Sequence, residues 1–209
     1  MGRNRLENLD PERQRVLFEA ASEEFAAKGF DGASLNRILE RTGMSKSSLY
    51  YYFDDKADLF VTLVERSLAI LFKHIGQFDP EELTAENFWG DFERRYGKAV
   101  AFVSGNGWLV RFGAMFYALR GDPGCGAPTG RLFQAARHWV GIILRRGQAL
   151  GVVRGDLPES LLVDSAMGLC ESLDRWVVAH WDELTPAERA ALPEEHIGLF
   201  RDLLAPPRG

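Results

Sequence analysis

Cysteine is scarce in this chain and forms no pattern: Cys125 and Cys170 are the only two, with no CxxC pair and no histidine at ligand spacing beside them. A disulfide framework and a zinc site are therefore not expected. Histidine is equally sparse, and His74, His138, His180 and His196 show no metal-ligand spacing. A nucleophile motif and a phosphate-cradling glycine loop are also missing, so the sequence predicts no enzyme, no metal and no cofactor. No apolar run approaches the roughly 18 residues of a membrane span. The opening "MGRNRLENLDPERQ" lacks the apolar stretch of a secretory leader, and the expected address is the cytoplasm, with no membrane partner. Net positive charge is missing too. The formal charge is −5, and residues 1–60 hold nine Lys or Arg against eleven Asp or Glu. This charge counts mildly against a nucleic-acid partner, and any DNA contact must come from a few placed cations and many neutral donors.

What is present is ordinary globular composition, 46% hydrophobic and 26% charged, arranged with helical periodicity and almost no strand-like alternation. The expected fold is all-α with about nine helices. Asp10-Pro11 opens the first, because Asp caps free amides and Pro fits the first helical position. Leu17, Ala21 and Phe25 recur every four residues, and Gly29 supplies a left-handed stop after residue 28. Ser34 caps a short helix with Leu35, Ile38 and Leu39 on one face, and Thr42-Gly43-Met44 ends it. Ser45 caps another through about Tyr52, and Asp55 with Asp58 opens a long fourth helix. Helices over about 85–103, 108–120, 130–149, 158–182 and 194–205 follow, separated by breaks that include "TPAER" at 185–189.

The stretch 34–53 is laid out as helix, glycine turn, helix. Ile38, Leu39 and Leu49 can lock the pair against the first helix, leaving Ser45, Lys46, Ser47 and Ser48 at the exposed start of the second. Short hydroxyls there let a helix approach a groove floor. By periodicity alone the pattern fits a DNA reader and plain packing equally. Three consecutive tyrosines, Tyr50, Tyr51 and Tyr52, cannot all face one core, so some of their hydroxyls point out of the fold.

Residues 20–60, "AASEEFAAKGFDGASLNRILERTGMSKSSLYYYFDDKADLF", resemble the DNA-binding domain of the tetracycline-repressor (TetR) family of bacterial transcriptional regulators. The features that carry the likeness are Phe25 with Gly29, Gly43-Met44-Ser45, Leu49-Tyr50-Tyr51-Tyr52-Phe53, and Lys56. Ser47 departs from the family's frequent Gly, and Leu39 and Thr42 from its usual alanines. The resemblance implies Ser34, Ser48, Tyr50, Tyr52 and Lys56 as phosphate contacts, and Asn36, Arg37, Lys46, Ser47 and Tyr51 as base readers. For Asn36 and Arg37 the chemistry agrees, since amide and guanidinium groups suit adenine and guanine edges.

The same resemblance implies a DNA-binding domain at 1–54 and an effector-binding, dimerising domain at 55–209. The latter holds all five tryptophans. Phe92 and Tyr96, then Trp108, Phe112, Met115 and Phe116, then Trp139, then Leu173 and Trp176, lie on helical faces that can line an apolar cavity, with Arg111 and His138 beside them. A small-residue ridge of Ser165, Gly168 and Ser172, flanked by Leu161 and Leu169, meets Ile197, Phe200 and Leu204 of the last helix in the expected dimer bundle. The expected protein is a homodimeric repressor of a double-stranded DNA operator, released by a small effector. A ligand-independent DNA binder and an all-helical carrier or enzyme are the alternatives.

Overall fold

The computed structural model describes Leu6, residues 9–76 and 78–105, Leu109, and residues 126–207. All regular structure among them is helical: α1 (Pro11–Gly32), α2 (Leu35–Thr42), α3 (Lys46–Tyr52), α4 (Lys56–Ile75), a 3-10 turn (Pro80–Glu82), α5 (Phe88–Ser104), α6 (Gly126–Ala149), α7 (Glu159–His180) and α8 (Pro186–Leu204). The helix expected over 108–120 lies, except for Leu109, outside the described residues. The chain divides into two compact units, Met1–Ile70 with Asn106–Gly130, and Leu71–Gly105 with Arg131–Gly209.

In the first unit most of the expected caps are present. Asp10 accepts from the amides of Glu12 and Arg13, with Pro11 at the first helical position. Asp55 accepts from the Asp58 amide at 2.8 Å, and Asp58 accepts from the Asp54 amide at 3.0 Å, so the start of α4 is tied in both directions. Gly29 breaks α1 as expected, at φ 67 and ψ 176, a region nearly closed to side-chain-bearing residues. A further turn nonetheless follows to Gly32. Its reason is Phe30, buried against Phe25 and Phe60 with ring centres 6.0 and 5.8 Å away; Phe25 and Phe60 themselves meet edge to face at 5.3 Å. Ile38, Leu39, Leu49 and Phe53 complete this core with Leu17, Leu59 and Leu63.

Beside Phe25 lies a buried charge. Glu24 is 6% exposed, and its Oε1 accepts from the Ser34 amide at 3.0 Å and from Arg37 Nε at 2.7 Å. Burial alone would raise this carboxyl, but the Arg37 guanidinium and the Ser34 amide outweigh it and hold the group below its ordinary 4.5.

The second unit is built on Leu83, Phe88, Leu144, Val153, Leu162, Val163, Ala166 and Leu204. Within it α5 and α8 pack along one another. The last helix begins at Pro186, eight residues before the expected start at 194. Thr185 and Glu188 form a capping box there, and Pro186 takes the first helical position. Pro193 then sits inside α8, where it is buried; a Cβ added at Gly97 on α5 would lie 3.7 Å from its Cγ. An interior proline costs a helix roughly 3 kcal/mol, and burial of its ring against α5 works against that cost.

Gly147 is where the core allows no side chain: an added Cβ would collide with Val153 and lie 2.8 Å from Phe88 Cζ. Gly147→Ala is expected to lower unfolding free energy by about 1–3 kcal/mol, read by urea denaturation. Glu24→Gln is expected to cost about 1–2 kcal/mol near neutral pH, because Arg37 is half exposed and can turn to water. Since the folded-state value of Glu24 is depressed, its contribution is fully present above pH 4.5 and disappears as the pH falls through that lower value. Wild type should therefore lose stability on acidification more steeply than Glu24→Gln, and parallel acid limbs would contradict the assignment.

Candidate nucleic-acid interface

Helix α3 follows the Gly43 turn, whose φ of 66 closes α2 in the left-handed region. Ser45 caps α3 by accepting from the Ser48 amide at 3.1 Å, and its Oγ lies 3.0 Å from Ser47 Oγ. Leu49 is the buried anchor at 1% exposure. With that side fixed inward, Ser45, Lys46 and Ser47 are exposed and Ser48 is half-buried.

The tyrosines separate by environment. Tyr50 and Tyr51 are 46% and 53% exposed, large values for aromatic rings, while Tyr52 is half-buried with its ring edge-on to Tyr51 at 5.0 Å. Phe53 turns inward at 2%. Lys46 Nζ lies 5.9 Å from the Tyr50 ring centre, a weak cation–π approach that keeps the cation beside the exposed aromatics. The surface offered by α3 is one ammonium, short hydroxyls and phenols. These are donors suited to phosphates and base edges without net basic charge.

Asn36 is exposed on α2. Ser34 occupies the N-cap position of α2 but makes no side-chain capping bond, contrary to the expected role of its hydroxyl; its backbone amide is held by Glu24 instead. Two expected DNA contacts are turned toward protein. Arg37 donates to Glu24 and, through Nη2, to the Gly32 carbonyl at 3.1 Å. Lys56 Nζ donates to the carbonyls of Asp31 and Ala33 at 3.1 and 3.2 Å and lies 4.7 Å from the Phe30 ring centre. The periodicity of the sequence gave no sign of Glu24, because a carboxylate between apolar helix positions reads as surface until its donors are placed.

The residues expected to bind an effector are only partly brought together. Trp108, Arg111, Phe112, Met115 and Phe116 lie outside the described residues. Phe92 stacks at an angle on Phe78 at 5.5 Å and meets Phe88 at 5.2 Å, and Trp139, still 38% exposed, packs edge-on to Phe78 at 5.5 Å. Tyr96 Oη pairs with His196 Nδ1 at 2.8 Å, a partner that periodicity did not reveal. Burial first, then the negative charge of Asp174, pushes the Tyr96 phenol up, and burial pushes the His196 imidazole down. The pair is therefore neutral in the physiological range, apolar in character but with a hydrogen-bonding edge. His138 belongs to a separate polar groove of about 490 Å³ between α6 and α7, beside Arg137, Arg145 and Glu159. Leu173 is half-buried, and Trp176 is 46% exposed and stacks on His180 at 4.7 Å.

The expected dimer surface also splits. Within the single chain Ile197 and Leu204 are 8% and 4% exposed, and Leu204 lies in the core of the second unit. Phe200 packs against the same core. Leu161, at 48%, and Leu199, at 47%, face outward, as do Gly168 and Ser172; Ser165 and Leu169 are half-buried. Among the described residues no group of His, Cys, Asp and Glu could hold a metal, and no helix is long and apolar enough to cross a membrane.

Comparison with known proteins meets this geometry at the same segment. The model of the family described as bacterial regulatory proteins, tetR family, matches residues 17–63, from the buried Leu17 of α1 to the buried Leu63 of α4. The HTH-type transcriptional repressor AcnR of Corynebacterium diphtheriae is 29% identical over 157 residues, 74% of each chain. The HTH-type transcriptional activator FasR of Mycolicibacterium smegmatis is 36% identical over 78 residues, 36% of each chain. The crystal structure of FadR from Bacillus subtilis in complex with stearoyl-CoA superposes with a TM-score of 0.71 at 17% identity, covering 90% of this chain and 97% of FadR, and so shares its fold. With its helix-turn-helix and its tyrosine-bearing second helix, the segment 17–63 matches the tetR family of bacterial regulatory proteins, and the chain is similar to transcriptional regulators of that kind.

Proposed function

We propose that this protein is a ligand-responsive transcriptional repressor that binds a palindromic operator as a homodimer in the cytoplasm. Residues 1–54 act as the DNA-binding domain and residues 55–209 as the effector-binding and dimerising domain. The observation that carries the DNA reading is α3, which exposes Lys46, Ser47, Tyr50 and Tyr51 while Leu49 and Phe53 anchor it. Asn36, Lys46, Ser47 and Tyr51 read bases. Ser34, Ser48, Tyr50 and Tyr52 hold phosphates, which lets a domain without net positive charge grip DNA. Two copies reach half-sites about 34–36 Å apart, the geometry that gives a helix-turn-helix its specificity. The outward Leu161, Gly168, Ser172 and Leu199 support a dimer surface on α7 and α8.

Repression rather than activation follows the likeness to AcnR, which spans most of both chains. An apolar or aromatic effector is supported by the Phe78, Phe88, Phe92 and Trp139 contacts, and the fold neighbour FadR holds an acyl-chain ligand. Such an effector lowers DNA affinity by binding better to a dimer state that fits the operator poorly.

Binding to a duplex enriched from a random-sequence pool should weaken steeply with salt, and Lys46→Ala should weaken it further and flatten the dependence by about 0.9 per protomer. Salt-independent binding would remove the DNA reading. Tyr51→Phe should alter preference among half-site variants, whereas Tyr50→Phe should weaken all of them alike; the same uniform loss in both would defeat the division of roles. Aliphatic and aromatic compounds that change tryptophan fluorescence on binding should lower operator affinity by about 5- to 150-fold. Binders that leave it unchanged would favour a ligand-independent regulator.

A further inference from the structure

The turn from α1 into α2, residues 31–34, is held by three charged side chains arriving from three helices. From α4, Lys56 Nζ donates to the carbonyls of Asp31 and Ala33 at 3.1 and 3.2 Å. From α2, Arg37 Nη2 donates to the Gly32 carbonyl at 3.1 Å. From α1, the buried Glu24 accepts from the Ser34 amide at 3.0 Å. Each residue of the turn has one backbone group bonded to a charged side chain, and Asn36 stands two residues beyond it. The direction in which Asn36 leaves the protein is thus set by side chains that, by residue type, would be assigned to DNA.

We propose that Arg37 and Lys56 are positioning residues for DNA recognition, which fix this turn and aim α2, and are not contacts to the operator. The proposal rests on the reading of the chain as a DNA-binding regulator. An Arg37 guanidinium that swung to a base edge would leave Glu24 ionised and buried with a single remaining donor, an arrangement that low dielectric penalises heavily. A Lys56 ammonium that swung to a phosphate would give up two carbonyls and the face of Phe30 together. Lys46 is exposed and more loosely held, its Nζ 5.9 Å from the Tyr50 ring centre.

The two roles differ in their salt dependence. A cation that neutralises a phosphate releases counterions and contributes to the slope of log affinity against log salt, whereas a positioning cation leaves that slope alone and acts on discrimination. Full-length wild type, Lys56→Met, Arg37→Gln and Lys46→Ala are titrated at several salt concentrations against the enriched duplex and a scrambled duplex of equal composition. For Lys56→Met and Arg37→Gln the expected result is an unchanged slope with discrimination between the duplexes reduced about tenfold, the worth of one base contact. For Lys46→Ala the slope falls by about 0.9 per protomer. A slope loss in Lys56→Met or Arg37→Gln matching that of Lys46→Ala overturns the proposal, as does unchanged discrimination.

If circular dichroism shows either variant unfolded, Glu24→Gln takes its place. It deletes a negative charge, which by Coulomb's law alone tightens binding to a polyanion. Reduced discrimination at unchanged slope then supports the positioning role, and tighter binding to both duplexes refutes it. Failure of the underlying DNA reading looks different, because wild type would then enrich no duplex over the scrambled one, and the proposal falls with it.

Discussion

A carboxylate inside a protein must be surrounded by donors, and in this chain that constraint falls on Glu24. Its Oε1 collects the Ser34 amide and the Arg37 guanidinium, and in doing so joins the late turns of α1 to the first turn of α2. The neighbouring Phe25 supplies the apolar half of the same junction by meeting Phe60 edge to face. One side chain fixes where α2 begins and the next fixes where α1 and α4 cross. The recognition surface rests on both.

The glycine and proline positions show how packing edits local rules. Gly29 interrupts α1 because its backbone sits at φ 67, yet the helix resumes because Phe30 has a place in the core. Pro193 does not interrupt α8; it is buried beside Gly97 of α5. Gly147 is small for a third reason: Phe88 and Val153 occupy the space that a Cβ would need. Read locally, all three residues are punctuation. Only Gly29 interrupts its helix, and none of the three is a boundary of secondary structure.

Much of the DNA-binding segment was legible because it is built from short-range physics. Asp10, Pro11, Gly43, Ser45 and Asp55 act through groups within three or four residues, and each does in the structure what its chemistry predicts. Ser34 is the exception, since its amide is satisfied from residue 24 rather than by its own hydroxyl. The body was less legible. Its aromatic faces gave the helices, but the Tyr96–His196 pair joins residues a hundred positions apart, and no periodicity forecasts such a partner. The apolar stripe of α8 likewise contained Ile197 and Leu204 without showing whether they faced their own core or a second copy.

The sequence by itself determined that the protein is helical, where most helices start, that residues 34–53 form a helix-turn-helix, and which family's motif it carries. Those properties depend on residue type and local spacing. Only the tertiary structure decided what the polar residues do. Tyr50 and Tyr51 project outward because Leu49 and Phe53 are drawn into the core around them. Arg37 and Lys56, cations that composition alone would send to DNA, are retained by a buried carboxylate and by backbone carbonyls. The physical reason is that charge and hydrogen-bonding capacity belong to a side chain, whereas the partner that claims them is chosen by which other groups folding removes from water.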